Sequence, residues 1–393
     1  MWRFGAPPEL VRCVGALVLM TGQAFAQVIL PADPDPARFS FLAYGDSRAG
    51  NSCTGNAVHI ALVKRMASEP AAFDFHTGDM VTGYDGSTNW VQRGACPEAA
   101  SNGSFKEIIA PLQSRKPAPG LPAFYFPVVG NHDDNWGDGW YPDKFGNGFC
   151  DVFDAAALVP NHTQADYFAD RTPRVARYGN DEFRSLLCST KSGEVYPTYL
   201  YYSFDFKNTH FVVLRVNSDY FDLEACNQPC ADPDNYDRLY NKHQLDWLRR
   251  DLALAGGRRE IQHIVVLLHA PLFTGSWGHA ANVSWPVLSG EFSKNKVRLV
   301  ISGHNHVYER SHPILVSSAQ PQGVRDDRRG TVYMVTGGGG SAVHGFDRQH
   351  PLMAVSSTDF HFLRFEVKGS RLSMEAVRPD GSVFDSFSLE AKK

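Results

Sequence analysis

Side chains that can bind metal ions follow five separate apolar segments of the sequence. In chain order they are Asp46, Asp79, Asn131 with His132 and Asp133, His269, and His304 with His306. Carboxylate, amide and imidazole donors suit Fe, Mn or Zn ions, and these motifs contain no cysteine for a thiolate site. Two such ions about 3.5–4 Å apart can clamp a phosphoryl group and acidify a bound water. The donors therefore predict a metal-dependent site for phosphate chemistry.

Each of these motifs comes directly after a short apolar run that predicts a β-strand. The five runs are Phe39–Tyr44, Phe73–Thr77, Ala123–Val129, Ile261–Leu268 and Val297–Ser302. In open α/β sheets, functional side chains gather where the carboxyl ends of strands meet. A single Asp or His after a strand is more often a turn former. Five such ends in one chain nevertheless favour a shared site.

Other segments predict elements that complete an α/β fold. Val58–Ala67 and Gln244–Ala255 have the apolar spacing of amphipathic helices. Two β-rich runs, Tyr199–Phe206 and His210–Asn217, predict a hairpin. The final stretch, Phe360–Leu389, predicts a meander of strands.

The order of the motifs, GD…GD…GNHD…H…GHxH, resembles that of the calcineurin-like metallophosphoesterase superfamily. Three segments are more similar to its purple acid phosphatase branch: HAPLFTGSWGH (His269–His279), GHNHVYERS (Gly303–Ser311) and the later Gly337–Gly340 loop. The resemblance implies an α/β fold in four layers, αββα, with a two-sheet β-sandwich flanked by helices. It also implies a hydrolase with two divalent or trivalent metal ions, whose identity among Fe, Mn and Zn stays open.

The resemblance further implies a role for each residue of the motifs. The implied ligands are Asp79 as the bridge, Asp46 and His306 on the first ion, and Asn131, His269 and His304 on the second. His132 would face the phosphate and protonate the leaving group, and Asp133 would orient His132. His279 would contact the substrate, although loop histidines are also ordinary surface residues.

The first motif departs from the superfamily. The superfamily has Asp-x-His where this sequence has Asp46-Ser47-Arg48, and Thr82 stands where purple acid phosphatases supply a tyrosine ligand. His59 could complete the ligands of the first ion, but a packing or surface role is the simpler interpretation. Arg48 cannot bind an ion. Its planar guanidinium predicts instead a substrate clamp that binds two phosphate oxygens.

The amino-terminal segment predicts export. Residues 1–26 contain Arg3 and Arg12, a short apolar run, and a final Ala24-Phe25-Ala26, as in a cleaved signal peptide. The apolar run is shorter than the ~20 residues of a membrane-spanning helix. We therefore expect a secreted or periplasmic protein without a membrane anchor.

Residues 27–38 predict a linker, and 39–393 predict a catalytic domain with an insertion or cap around 134–197. Cleavage removes Cys13 and leaves six cysteines, an even number that predicts disulfide bonds whose pairing stays open.

The net charge is −4, with 38 Lys and Arg against 42 Asp and Glu. Such a balance gives no basic field, so binding to a nucleic-acid scaffold is not expected.

Together these features predict an exported metal-dependent phosphoric ester hydrolase. The preferred function is that of an acid-phosphatase-like enzyme which hydrolyses small-molecule phosphate monoesters through a dinuclear site and a metal-bound hydroxide. Two alternatives stay open. One is a phosphodiesterase or nucleotidase that uses the same site. The other is a non-hydrolytic metal- or phosphate-binding protein, which the missing histidine ligand motivates but which would not need His132.

Overall fold

A computed structural model describes residues 38–48, 54–81, 104–114, 124–133, 187–189, 195–197, 201–220, 236–346 and 350–391. The predicted signal peptide, residues 27–37 of the predicted linker, most of the predicted insertion and Thr82 lie outside these segments. The side chains of the six cysteines predicted to form disulfides also lie outside the described part. Across the described segments, no helix combines the length and apolarity that crossing a bilayer requires.

Strands are the main elements of the described segments. In chain order they are β1 (Arg38–Tyr44), β2 (Phe73–His76), β3 (Phe124–Pro127), β4 (Leu187–Ser189), β5 (Val195–Pro197), β6 (Tyr202–Phe206), β7 (Thr209–Val213), β8 (His263–Leu267), β9 (Leu299–Ser302), β10 (Tyr308–Ser311), β11 (Ile314–Ser317), β12 (Gln320–Arg325), β13 (Val332–Thr336), β14 (Met353–Ser357), β15 (Phe362–Lys368), β16 (Arg371–Val377) and β17 (Val383–Glu390). The five strands predicted before the metal-capable motifs are all present. The predicted hairpin is β6–β7, and the predicted meander is β15–β17.

Four helices occur in the same segments. They are α1 (Thr54–Met66), α2 (Phe105–Gln113), α3 (Tyr236–Gly257) and α4 (Trp285–Lys294). The two predicted helices correspond to α1 and to the second half of α3. Helix α2 begins at a capping box in which the side chains of Ser104 and Glu107 each accept the other residue's backbone N–H.

The strands form two large sheets and two small hairpins. The first large sheet has the order β17-β16-β15-β1-β2-β3, and the second has the order β14-β10-β13-β9-β8-β7-β6. Strands β1, β2 and β3 are parallel, and so are β7, β8, β9 and β13. The other pairings are antiparallel, including the small hairpins β4–β5 and β11–β12.

Aromatic side chains fill the space between the two large sheets. Phe126 of the first sheet stacks on Phe204 of the second at 4.3 Å between ring centroids, and Phe39 meets Phe206 at 4.8 Å. Burial of each such ring contributes roughly 1.5–3 kcal/mol. Helices α1 and α2 pack on this core, whereas α3 and α4 bury a second apolar cluster against the second sheet. The four-layer αββα fold class predicted from the sequence is confirmed.

The parallel strands bring the predicted metal-capable motifs to one edge of the sandwich. Strands β1, β2 and β3 end at Tyr44, His76 and Pro127, and strands β8 and β9 end at Leu267 and Ser302. The metal-capable residues follow within a few positions of each end. The loops after these strands therefore meet where the two sheets face each other.

Candidate active site

Three residues of the site hold a backbone conformation that most side chains avoid. The φ angle is +59° at Asp46, +55° at Asp79 and +69° at His304. Such left-handed backbone costs on the order of 1–3 kcal/mol at each position and persists only where the surroundings impose it. Here the turns are tied together, since the N–H of Asp46 donates to Gly78 O at 2.9 Å. The fold thus stabilises turns that direct these side chains towards one another.

Two glycines allow the turns to approach closely. A Cβ atom on Gly303 would collide with Oδ2 of Asp46, and one on Gly130 would collide with the backbone nitrogen and Oδ1 of Asp79. Each collision involves a carboxylate of the site or the backbone that carries it. Glycine is therefore required at both positions if the two carboxylates are to keep their places.

The Gly337–Gly340 loop lies against the site. The N–H of Gly339 donates to Gly45 O at 2.8 Å, and the N–H of Ser341 donates to Asp46 O at 2.9 Å. The loop follows β13, which is parallel to β9, so it fixes the turn after β1 from the opposite sheet.

The Asp79 carboxylate is the centre of the site and is almost fully buried. Oδ1 accepts the N–H of His132 at 2.9 Å and lies 3.2 Å from Nε2 of His269. Oδ2 accepts Nε–H of Arg48 at 3.2 Å and lies 3.9 Å from Nε2 of His132. Burial opposes the charge, but the adjacent His269 holds the pKa of Asp79 well below its usual value. Asp79 is therefore an anion with its two oxygens facing different partners.

The orientation of the His269 ring defines a set of ligand atoms. Nδ1 lies 2.7 Å from Thr77 O, and because a carbonyl only accepts, Nδ1 carries the proton. Nε2 faces Asp79 Oδ1 at 3.2 Å, Asn131 Oδ1 at 3.1 Å and His304 Nδ1 at 3.2 Å. We call these four residues the His304 group.

The His304 group fits a metal ion. The ligand atoms of Asp79, His269 and His304 lie within 4.8 Å of one another. Burial disfavours a charged His269, yet the facing Asp79 raises the pKa of His269 to about 9. This means that the position of Nε2 stabilises positive charge. Oxygen and imidazole donors around such a position are the set expected for Zn, Mn or Fe.

A second set of donors, which we call the His306 group, consists of Asp46, Asp79 and His306. Their ligand atoms also lie within 4.8 Å of one another. Nδ1–H of His306 donates to Ala342 O at 2.6 Å, which leaves Nε2 as the acceptor. Burial raises the pKa of Asp46 to about 8 and lowers the pKa of His306 to about 3. Asp46 and His306 therefore favour their uncharged forms when no metal ion is bound.

Arg48 lies against the His306 group. Besides its bond to Asp79, its Nη2 lies 3.5 Å from Nε2 of His306. The Arg48 side chain is 20% exposed.

The carboxylate of Asp133 accepts hydrogen bonds from backbone amides of the site. Its Oδ2 accepts the N–H groups of Gly130 and Asp79, and its Oδ1 accepts that of Met80, each at 2.9 Å. Its carboxylate is thus directed at backbone amides, and its role in orienting His132 stays a prediction. Burial, with the nearby Asp79 charge, raises the pKa of Asp133 to about 7. Asp133 positions the turn that carries Asp79.

His59 does not join either donor group. Its Nε2 lies 2.9 Å from the hydroxyl of Tyr44, and its ring stacks on Phe105 at 5.7 Å between centroids. The side chain is buried between α1, α2 and β1. The packing interpretation of His59 is therefore correct, and the possibility that it completes the ligands of the first ion is wrong.

The structure places His279 beside the His304 group. The two imidazole rings stack with centroids 3.8 Å apart, and the N–H of His279 donates to Asn305 Oδ1 at 2.7 Å. His279 also shares a cluster of metal-capable atoms with Asp219 and His304. Nε2 of His304, buried on this side, has no hydrogen-bond partner within the described residues.

Sequence reasoning missed two residues that hold the site together. Asn305 donates through Nδ2 to Thr274 Oγ1 at 3.0 Å and to His279 O at 3.1 Å, which fixes the loop carrying His279. Nδ1 of His344 accepts the N–H of His306 at 3.1 Å, and the two rings stack at 4.1 Å. Asn305 is the variable position of GHxH, and His344 follows the glycine loop. The position of Asn305 within GHxH and that of His344 after the glycine loop were the only indications of their roles in the sequence.

Residues 56–308 match the family model described as calcineurin-like phosphoesterase. The match covers more than half of the chain, so the protein belongs to this family, as its motifs predicted. An uncharacterized protein of Mycobacterium tuberculosis is 33% identical over 159 residues, 36% of this chain and 28% of that protein. Purple acid phosphatase 22 of Arabidopsis thaliana is 32% identical over 126 residues, 32% of this chain and 25% of that protein. The matched region spans about a quarter of these relatives.

Solved structures show the same fold. The purple acid phosphatase PPD1 from yellow lupin seeds has a TM-score of 0.56 at 18% identity, covering 91% of this chain and 54% of that one. GAP50, the anchor in the inner membrane complex of Plasmodium, has a TM-score of 0.53 at 13% identity. The match covers 91% of this chain and 90% of that one.

Proposed function

We propose that the protein is a metal-dependent phosphatase that hydrolyses phosphate monoesters at the site around Asp79. The observation that carries the proposal is the geometry of the His304 group. Nε2 of His269 faces three ligand atoms at 3.1–3.2 Å, and Nδ1–H is bonded to Thr77 O, so Nε2 is the ring nitrogen available to an ion. A bound cation is what best stabilises buried lone pairs that face one another in this way. Membership of the phosphoesterase family supports a phosphate ester as the substrate.

The two donor groups share Asp79, which is the arrangement that a dinuclear site requires. The donors suit two divalent or trivalent ions among Fe, Mn and Zn. When bound, such ions acidify water and neutralise the charge of phosphate oxygens. In this proposal the His304 group and the His306 group are the ligands, as the motifs predicted.

The remaining residues act on the substrate. The His132 side chain is 13% exposed and its Nε2 lies 3.9 Å from Asp79 Oδ2, so an ester bound to ions beside Asp79 would be within reach of its imidazole. His132 donates a proton to the leaving oxygen, which spares the leaving group a full negative charge. His279 borders the same space through its stacking on His304, and it contacts the phosphate or the organic part of the ester.

The preference for monoesters rests on the segments that resemble purple acid phosphatases. The substrate is then a small-molecule phosphate ester. The proposed site of action is outside the cytoplasm, in the periplasm or the medium, because residues 1–26 have the features of a signal peptide. Mass spectrometry of the exported protein should give a mature chain that begins at Gln27.

The function can be tested with the purified chain after reconstitution with Zn, Mn or Fe ions. We expect p-nitrophenyl phosphate to be hydrolysed faster than its bis-ester. His132→Ala should lower kcat by roughly 10²–10⁴-fold, the usual contribution of a general acid. His312→Ala, a histidine outside both donor groups, is the matched control and should retain activity.

Each contrary result points to a different alternative. Faster hydrolysis of the bis-ester would favour a phosphodiesterase. Bound ions without turnover of any ester, and unchanged metal binding in His132→Ala, would favour the non-hydrolytic binding protein.

A further inference from the structure

The Arg48 side chain lies where a cation would bind to the His306 group. Its Nε–H donates to Asp79 Oδ2 at 3.2 Å, and its Nη2 lies 3.5 Å from His306 Nε2. Because Nδ1 of His306 carries its proton towards Ala342 O, Nε2 presents a lone pair to the guanidinium. Arg48 therefore contacts two of the three residues of this group, Asp79 and His306.

The backbone holds Arg48 in this position. Its N–H donates to Asp79 O at 3.2 Å, and its carbonyl accepts the hydroxyl of Ser341 at 3.0 Å. The chain is thus fixed on both sides of the Arg48 Cα atom. The guanidinium keeps its charge at any physiological pH and supplies donors in a rigid fork. A permanent, anchored cation is consequently part of this half of the site.

The His304 group differs in that no comparable arginine or lysine among the described segments is bonded to its three other ligand residues, Asn131, His269 and His304. Asp79 Oδ1 faces His269, whereas Asp79 Oδ2 faces Arg48. One carboxylate therefore has one oxygen available for an ion and the other bound by an arginine.

We propose that Arg48 is an internal cation that competes with a metal ion for the His306 group. The two ion sites are then unequal. The His304 group binds its ion tightly, and the His306 group binds one only when the guanidinium moves aside. This inference rests on the proposed function, in which both groups are ligands. It also replaces the substrate clamp predicted for Arg48. In the new role, the charge of Arg48 substitutes for that of the first ion beside Asp79.

Metal stoichiometry tests the competition without an activity assay. The full chain and its variants are equilibrated with ZnCl₂, passed through a desalting column and analysed for zinc per chain by mass spectrometry. We expect one zinc in the wild type and two in Arg48→His, which restores the Asp-x-His motif. Arg48→Gln, which removes the charge, should bind the second ion on the order of tenfold more tightly than the wild type in calorimetric titration.

Two controls make the result specific. Arg48→Lys keeps a positive charge and should retain one zinc. Arg249→Gln, on the exposed face of α3, should behave like the wild type, and circular dichroism of all variants checks folding.

Two tightly bound zinc ions in the wild type would overturn the inference, and so would a single ion in both Arg48→His and Arg48→Gln. A wild type that binds no zinc, manganese or iron would instead remove the proposed function itself.

Discussion

The His304 group and the His306 group share one carboxylate but differ in how its charge is balanced. On the first side, Asp79 Oδ1 faces His269 within a set of converging ligand atoms. On the second side, Asp79 Oδ2 accepts a hydrogen bond from Arg48. A sequence can therefore contain the motifs of a dinuclear site while the two halves of that site differ in their electrostatics.

A single sequence position accounts for most of this difference. The superfamily motif implies a histidine where Arg48 stands, and a histidine would add a donor rather than a charge. The turn that carries Arg48 is tied to the turn after β2 through the bond from Arg48 N–H to Asp79 O. The fold thus directs whatever residue follows Ser47 into the His306 group.

Removal of one histidine from each half of the site should give the largest difference between the two groups. His304→Ala should lose the tightly bound ion and lower kcat by roughly 10²–10³-fold, because it removes a ligand that no other side chain replaces. His306→Ala should retain that ion and lower kcat by roughly tenfold, the usual effect of a supporting residue. Zinc content and p-nitrophenyl phosphate hydrolysis, measured on the same preparations, check both values.

Equal losses of zinc and activity in the two variants would contradict the distinction between the groups. Since both histidines belong to one GHxH motif and both are buried, each variant is a matched control for the other.

A cluster outside both donor groups serves as a reference for the site. In this cluster the protein's own cations balance the charge of the carboxylates. His210 bonds Asp205 at 2.6 Å and Asp251 at 2.9 Å, and Arg258 makes two bonds to Asp205 at 2.6 and 2.9 Å. Both ring nitrogens of His210 face carboxylates, so the ring is doubly protonated. Burial opposes this charge, but Asp251 and Asp205 raise the pKa of His210 to about 9.

The pH dependence of stability should distinguish this cluster from the active site. The pKa of His210 is higher in the folded protein, at about 9, than the 6.5 of the free side chain. Its contribution is therefore fully present below pH 6.5 and is lost as the pH rises through 9. We expect the difference in unfolding free energy between wild type and His210→Gln to shrink by roughly 2–3 kcal/mol over this range.

Urea unfolding with and without a chelator measures this difference. The His210 contribution should be the same in both conditions, whereas the stability of the whole protein should fall when the chelator removes the ion. A His210 contribution that changes with the chelator would show that the two regions are coupled.

Much of the fold and of the candidate site could be predicted from the sequence. Asp46, Asp79, His269 and His304 each follow an apolar strand, and parallel strands bring their carboxyl ends to one edge whatever the loops do. The glycines before Asp46, Asp79 and His304 were equally visible in the sequence. The structure shows why one of them is needed, because a Cβ atom on Gly303 would collide with Asp46.

The direction of individual side chains could not be predicted. Asp133 is adjacent to His132 in sequence, but its carboxylate bonds the backbone amide of Gly130 in its own turn and that of Asp79 in the turn after β2. His344 reaches His306 because the chain after β13 lies beside the turn after β9, its parallel neighbour in the second sheet. Arg48 faces Asp79 because the turn that carries it is bonded to the turn after β2. These contacts depend on turns that only the assembled sandwich fixes.

The most direct test is an anomalous diffraction experiment at the zinc edge on crystals of the metal-loaded wild type. We expect one strong peak among Asp79, Asn131, His269 and His304, with the Arg48 guanidinium still bonded to Asp79. Peaks of equal height in both groups, with Arg48 displaced, would contradict the unequal sites. The absence of a peak in the His304 group would contradict the proposed metal-dependent phosphatase.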